Sequence, residues 1–363
     1  MKDELQKALA GVRTEIDRID GEILSLLNAR ARCAQKVGEI KAEFGDAGFI
    51  YRPEREAQVL RRLQAENPGP LPNENITFFF REVMSACLSL EEPLGIAFLG
   101  PLGSFTGSAA TKHFGHAARL LPQASIDDVF REVESGHAHY AVVPVENSTE
   151  GAVGRSMDLL LGTQLKICGE VVLRIHQNLL SKEHDLGKIS KVYSHAQSLA
   201  QCHEWLNHNL PGVPRISVAS NSLAAQMAAD EPGAAAIAGV AAAERFALPK
   251  LVENIEDEPN NTTRFLVLGK HDAGLSGRDK TSLIMSAPNR TGALHELLQP
   301  LSAAGVSMCR LESRPARNAL WEYVFYVDIE GHRDDPAVST ALDQLKARSA
   351  YLKILGSYPV AVY

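Results

Sequence analysis

Two cations, Arg30 and Lys41, fall on the apolar stripe of a long helical stretch near the start of the chain. At about 100° per residue, Val12, Ile16, Ile19, Ile23, Leu26, Ala34 and Val37 point in one direction, and Arg30 and Lys41 share it. Burying a cation without a partner costs several kcal/mol. Asp17, Asp20, Glu22 and Glu39 lie off the stripe, so the pattern calls for an anionic ligand. The two cations are three helical turns apart, close enough for their long side chains to converge on one ligand, and Arg13 flanks the same stripe. Arg55 and Glu56 follow on a shorter helix, and Phe80, Met84, Cys87 and Glu91 form a ridge on a third. The competing reading has Arg30 and Lys41 snorkelling to water or pairing with carboxylates of another helix.

Three polar segments further on carry a second kind of chemistry. Asn260-Asn261-Thr262-Thr263-Arg264-Phe265 enters an apolar strand, and as a loop joining two lobes it would put Thr263 and Arg264 in a cleft. Glu146-Asn147-Ser148-Thr149-Glu150-Gly151 leaves another strand and offers amide, hydroxyl and backbone N–H donors. Gly103-Ser104-Phe105-Thr106-Gly107 opens a helix after a strand, which favours an anion, yet it has neither the lysine of a Walker A loop nor the glycine spacing of a dinucleotide fingerprint. Singly each reads as a turn or cap; together they point to a ligand site. His113 and His116, and likewise His137 and His139, have no Cys or carboxylate partners at ligand spacing, so no metal and no cofactor are expected.

These residues need elements to position them. Helical periodicity runs almost unbroken over residues 4–44, a rod of about 60 Å. Shorter helices are predicted at 53–65, starting at a proline, and 76–90, after the Asn67-Pro68-Gly69-Pro70 break. Three helices cannot cover such a rod in one monomer, which predicts an intertwined all-helical dimer. From Ile96 the grammar becomes α/β: strands at 96–99, 140–145, 191–194, 215–219, 235–238 and 264–268, with helices through His113, after Gly154, through Trp205 and from Ser222. Two lobes with a cleft between them are expected. After a polar linker, 271–278, the pattern is strand 281–286, helix 292–304, strands 306–312 and 321–329, helix 336–347 and strand 352–358, a ferredoxin-like βαββαβ order.

At 363 residues the chain has room for two or three domains. A net charge of −7 argues against nucleic acid or an anionic membrane as the main partner. No signal-peptide pattern and no apolar run near the roughly 18 residues of a membrane span are present, and the five cysteines form no close pair. A cytoplasmic, reduced protein is expected.

Residues 12–91, through Arg13, Arg30, Val37-Gly38-Glu39-Ile40-Lys41, Pro53-Glu54-Arg55-Glu56 and the third helix, resemble the all-helical chorismate mutases. The resemblance implies that Arg30, Lys41 and, from the partner protomer, Arg13 hold the two carboxylates of chorismate, with Glu56 at the substrate hydroxyl and Arg55 nearby. It also places Arg52, where many members have Asp, and Cys87 at the site. Glu91 stands where others have a Gln that donates to the ether oxygen. A carboxylate cannot donate, so Glu91 must be protonated for mutase turnover. Activity should then fall as pH rises, and Glu91→Gln should flatten the profile; an unchanged profile in that variant would oppose this role.

Residues 95–269 resemble the prephenate dehydratases, most specifically through Thr-Arg-Phe. That likeness makes Thr263 essential for dehydration and Arg264 a carboxylate anchor, with Asn147, Ser148, Thr149, Ser104 and Thr106 lining the cleft. Thr263 is read as a hydrogen-bond donor to the leaving hydroxyl, with Glu146 a rival general acid. Tyr193-Ser194-His195-Ala196-Gln197-Ser198 belongs to the same likeness, at the mouth of the second lobe. Gly292-Ala293-Leu294-His295 and Glu312-Ser313-Arg314-Pro315 resemble the phenylalanine-binding motifs of ACT domains, implying feedback inhibition through a dimeric state.

The expected architecture is therefore an intertwined all-α mutase module at 1–92, a two-lobed, periplasmic-binding-protein-like α/β dehydratase module at 95–270, and an α+β ferredoxin-like ACT domain at 279–363. Chorismate and prephenate are the expected substrates and L-phenylalanine the inhibitor, acting on a homodimer or higher homo-oligomer. Two rivals remain at this level: a non-catalytic amino-acid sensor, and a dehydratase whose helical module only dimerises.

Overall fold

The computed structural model describes residues 2–45, 49–287, 290–315 and 323–362. Its helical module consists of α1 (Lys2–Glu43), α2 (Pro53–Glu66) and α3 (Asn73–Ser89). Pro53 opens α2 at a position where its missing N–H costs nothing. Leu60 and Ala57 of α2 and Met84 and Cys87 of α3 are buried. α1 differs: Val12, Ile16, Ile23 and Leu26 keep 60, 50, 49 and 69% of their surface in water. The stripe read from periodicity is thus a continuous open face within one chain.

The first lobe contains β1 (Gly95–Leu99), α4 (Phe105–Phe114), β2 (Arg119–Gln123), α5 (Ile126–Ser135), β3 (Tyr140–Asn147), β4 (Gly151–Ala152), α6 (Gly154–Gly162) and β5 (Lys166–Arg174). The second contains β6 (Asn178–Ser181), β7 (Lys191–Ser194), α7 (Ala196–Gln201), α8 (His203–Asn209), β8 (Arg215–Ser217), α9 (Asn221–Asp230), β9 (Ala234–Ala238), α10 (Val240–Arg245) and β10 (Lys250–Val252). The chain then returns to the first lobe as β11 (Thr262–Gly269), giving sheet orders β2-β1-β3-β11-β5 and β10-β6-β9-β7-β8. β1 runs parallel to β2 and β3, whereas β11 is antiparallel to both β3 and β5. Serine side chains cap α4, α5 and α9 through Ser104, Ser125 and Ser220. α5 had a readable signal, since Ile126, Val129, Phe130 and Val133 repeat at helical spacing. β3 and β11 both extend two residues further toward the cleft than the sequence suggested.

The third module is β12 (Asp279–Ser286), α11 (Ala293–Ala303), β13 (Met308–Pro315), β14 (Tyr323–Glu330), α12 (Pro336–Arg348) and β15 (Tyr351–Pro359), with sheet order β13-β14-β12-β15. Pro288 and Asn289, between the first strand and the first helix of this module, and Trp321, where the strand expected at 321–329 begins, lie outside the described residues. One sheet face carries the two helices; the other shares a core with the first lobe, where Ile284, Val324, Tyr326, Leu355 and Tyr358 meet Val143, Leu266 and Leu268. At Gly356 a Cβ would stand 2.1 Å from the Ile167 carbonyl oxygen of β5. Only glycine lets β15 lie this close to that backbone.

The expected linker 271–278 is instead a packed junction. Arg61 of α2 donates to the Ser276 hydroxyl (3.0 Å) and to the Arg278 and Val360 carbonyls (2.9 and 3.0 Å), while Arg81 of α3 donates to the Val362 carbonyl (3.2 Å). The tail after β15 is thereby held by the helical module.

Candidate active sites

A cleft of about 340 Å³ opens between the two α/β lobes, lined by Ser104, Phe105 and Thr106 at the start of α4, Asn147 and Thr263 on adjacent strands, and Gln177, His195, Gln197, Ser198, Gln201 and Asn221 from the second-lobe side. Thr263 and Asn147 face each other in the β3–β11 ladder. Asn147 Oδ1 accepts from the Thr149 N–H (3.0 Å), the Glu150 N–H (3.2 Å) and the Thr149 hydroxyl (2.6 Å). Those donors fix the amide, so its NH₂ must point the other way, to Thr263 Oγ1 and Asn261 Oδ1, both at 2.8 Å. Because Thr263 Oγ1 already accepts from Asn147, its own proton is available to a ligand in the cleft. That is the orientation a donor to a leaving hydroxyl requires.

Alternation along a strand decides the rest. Thr263 is in β11 rather than in a loop, so Arg264 points to the opposite face of the sheet. Arg264 is not a cleft residue: its Nε meets Glu170 at 2.9 Å, its Nη1 meets Asp328 at 2.5 Å, and its Nη2 donates to the Tyr358 hydroxyl at 2.8 Å. Glu146 is displaced for the same reason and pairs with Arg310 at 3.0 Å, away from the cleft walls. Ser148 and Thr149 also lie outside the cleft walls; Ser148 Oγ accepts from the Thr262 N–H (2.9 Å), and Thr149 serves Asn147. Ser104 and Thr106 are placed as expected, Ser104 also capping α4.

The polar residues of the second lobe were not assigned to the cleft from sequence, apart from the segment ending at Ser198. Gln177, only 1% exposed, spends its NH₂ on Ser198 and Gln201 and leaves Oε1 without a partner among the described residues. Asn221 fixes the His195 N–H and the Ser194 and Ser198 hydroxyls. Gln201 bridges the lobes to Glu150 at 3.0 Å.

A second, larger cleft of about 830 Å³ lies where α1 ends, lined by Gly38, Lys41, Leu90 and Glu91 and, from the dehydratase side, His139, Tyr140 and Lys270. Glu91 packs over Gly38, its carboxyl carbon 3.2 Å from where a Cβ would stand. Lys41 and Glu91 are thus brought together. Arg30 is half-buried, Arg13, Arg52 and Arg55 are exposed, Cys87 is buried, and none of the five lines this cleft. Glu56 is committed elsewhere: it pairs with Arg81 at 3.3 Å, and burial raises its carboxyl more than that arginine lowers it.

His113 is a core residue, not a ligand. Tyr51 Oη lies 3.0 Å from its Nε2, and burial pushes its pKa down from 6.5 to about 3. The folded state therefore refuses a proton that the unfolded chain takes up below about pH 6.5, so stability should decline from there toward pH 3. Melting temperatures across that range should show the slope, and His113→Gln should flatten it.

In the third module Gly292, at φ +79°, leads into α11 ahead of Ala293, Leu294 and His295. Glu312, Ser313, Arg314 and Pro315 end β13, the free edge of its sheet. Arg314 turns to the dehydratase lobe, 3.4 Å from Asp158.

Three family models match the chain: chorismate mutase type II over residues 12–92, prephenate dehydratase over 96–273 and the ACT domain over 281–347. A bifunctional chorismate mutase/prephenate dehydratase of Neisseria gonorrhoeae is 56% identical over all of both chains. The crystal structure of Arthrobacter aurescens prephenate dehydratase in complex with L-Phe superposes with a TM-score of 0.68 at 33% identity, covering 73% of this chain and 90% of that one. GqqA, described as a novel type of quorum quenching acylase, has a TM-score of 0.67 at 30% identity and covers 74 and 98%. This scaffold thus carries more than one named activity, and the helical module and the full-length likeness carry the assignment. The chain belongs to the bifunctional chorismate mutase/prephenate dehydratase family, isomerase and lyase in one polypeptide.

Proposed function

We propose that the chain rearranges chorismate to prephenate in its helical module and converts prephenate to phenylpyruvate in the inter-lobe cleft, under feedback inhibition by L-phenylalanine through the ACT domain. The observation that carries the reading is the amide-fixed Asn147, which leaves the Thr263 hydroxyl as a donor into a cleft of substrate size. In the dehydration the electron pair of the breaking C–CO₂ bond enters the ring as the C–O bond to the ring hydroxyl breaks, and aromaticity drives the step. Threonine is too weak an acid to surrender its proton, so Thr263 stabilises the departing oxygen by hydrogen bonding. With Arg264 turned away, the donors left for the substrate carboxylates include the start of α4, at Ser104 to Thr106.

The rearrangement needs no nucleophile. Cations that hold a compact conformer and meet charge on the breaking ether suffice. Lys41 and Glu91 share a cleft, and the open apolar face of α1 supports a homodimer in which Arg30 and the partner's copy of Arg13 complete the site. The free edge of β13 supports a second contact between copies, where the Gly292 and Glu312 motifs would meet around phenylalanine. One assay tests all of this: chorismate supplied to the pure protein, with prephenate and phenylpyruvate followed separately, with and without phenylalanine. Phenylalanine binding without turnover would favour a sensor; dehydration without mutation would leave the helical module as a dimerisation device.

A further inference from the structure

The residues that follow the cleft pair around the ladder are both charged, and both are bolted to the ACT module. Register pairs Arg264 with Glu146 immediately beside the Thr263–Asn147 pair, on the opposite face of the sheet. There Arg264 reaches Asp328 of β14 and Tyr358 of β15, and Glu146 reaches Arg310 of β13. The Arg264 cluster is closed. Asp328 accepts from Ser282, Ser282 lies 2.7 Å from Tyr358 Oη, and Lys280 meets both oxygens of Glu170 at 2.8 and 3.1 Å. Since the Ser282 proton goes to Asp328, the Tyr358 hydroxyl accepts from Arg264 and donates to Ser282. Two cations and two carboxylates balance, with Glu170 and Asp328 only 1 and 8% exposed at the side chain, so removing one charge strands its partner.

We propose that Arg264 and Glu146 are positioning residues for Thr263 and Asn147, and that they transmit the placement of the ACT module to the dehydration cleft. The inference rests on the reading of Thr263 as the donor. An extended strand is stiff, and each bolt is the immediate chain neighbour of the group it positions. A small shift of β14 against β11 therefore moves the Thr263 hydroxyl relative to the substrate, and misplacements of this order are costly to rate. Ordinary interdomain adhesion would need the ion pairs but not their location next to the reacting pair.

The test uses the full chain with Asp328→Asn, which keeps the side-chain volume, and Glu146→Gln, whose side chain is 40% exposed and safe for folding. Both should lower dehydratase kcat, about tenfold for Asp328→Asn, with the KM for prephenate little changed. Mutase turnover should be unaltered, and half-inhibition should need several-fold more phenylalanine. Unchanged kcat and inhibition in both variants overturn the proposal. So does a parallel loss of mutase turnover and melting temperature, which marks a merely structural role. Thr263→Ala separates the two levels: if it retains dehydration, the site reading fails; if it is inactive while Asp328→Asn and Glu146→Gln behave as wild type, only the coupling fails.

Discussion

Thr263→Ala should abolish measurable dehydration, a loss of about 10²–10⁴-fold in kcat, while chorismate is still converted to prephenate at the wild-type rate. The size follows from what the hydroxyl does. The step from prephenate needs only its leaving hydroxyl assisted, and the Asn147 amide, pinned by two backbone N–H groups, orients Thr263 for that task. Nothing else on that face of β11 replaces it, since Arg264 is committed behind the sheet. Thr263→Ser should retain much of the activity because it keeps the donor. Asn147→Asp should behave more like the alanine variant: a carboxylate cannot donate, so Thr263 would turn its proton toward residue 147 and away from substrate. Separate prephenate and phenylpyruvate assays read both outcomes.

Arg30→Ala and Arg13→Ala should each remove mutase activity by about 10²–10³-fold, as expected when a charge-assisted contact to a carboxylate is lost from a preorganised site. Mixed together and allowed to exchange subunits, the two inactive variants should regain about a quarter of the wild-type activity. Half of the dimers at random pairing are mixed, and each mixed dimer has one site with both arginines and one with neither. No recovery after verified exchange would place Arg13 and Arg30 in the same protomer's site. The motive for the experiment is the stripe from Val12 to Leu26, whose apolar side chains are 41–69% exposed along a helix of 42 residues. Burying such a face against a second copy is worth about 1.5–3 kcal/mol per large side chain.

The three modules, the long helix and the ferredoxin-like order were legible because they rest on periodicity and element order, which survive small boundary errors. Side assignment along a strand does not survive them. Ending β3 two residues early left Glu146 in a loop, and starting β11 two residues late left Thr263 in a loop with Arg264 at its mouth, so both charged residues could reach the cleft, whereas a strand sends alternate side chains to opposite faces. A signal for the true partner was available. Glu170 interrupts the apolar run of β5 just as Arg30 interrupts the stripe of α1, and a lone buried carboxylate asks for a cation in the same way. Gln177 and Gln201 had no such signal, since isolated polar residues become a wall only when topology gathers them. The pairing of Glu56 with Arg81 was not legible either, because Arg81 belongs to another helix, at no fixed spacing in the chain.

The held tail after β15 has a consequence for how the molecule comes apart. Arg61 and Arg81 bond to the Val360 and Val362 carbonyls, so the second and third helices share polar contacts with the last residues described. Heating should then melt α2, α3, the first lobe and the ACT sheet as one cooperative unit, although three family models divide them. In the proposed homodimer the long first helix, whose apolar face is open within one chain, would be stabilised by its counterpart in a second copy rather than by that unit. Amide hydrogen exchange should accordingly report two kinetic classes, with protection of α1 varying with protein concentration and protection of the remainder independent of it.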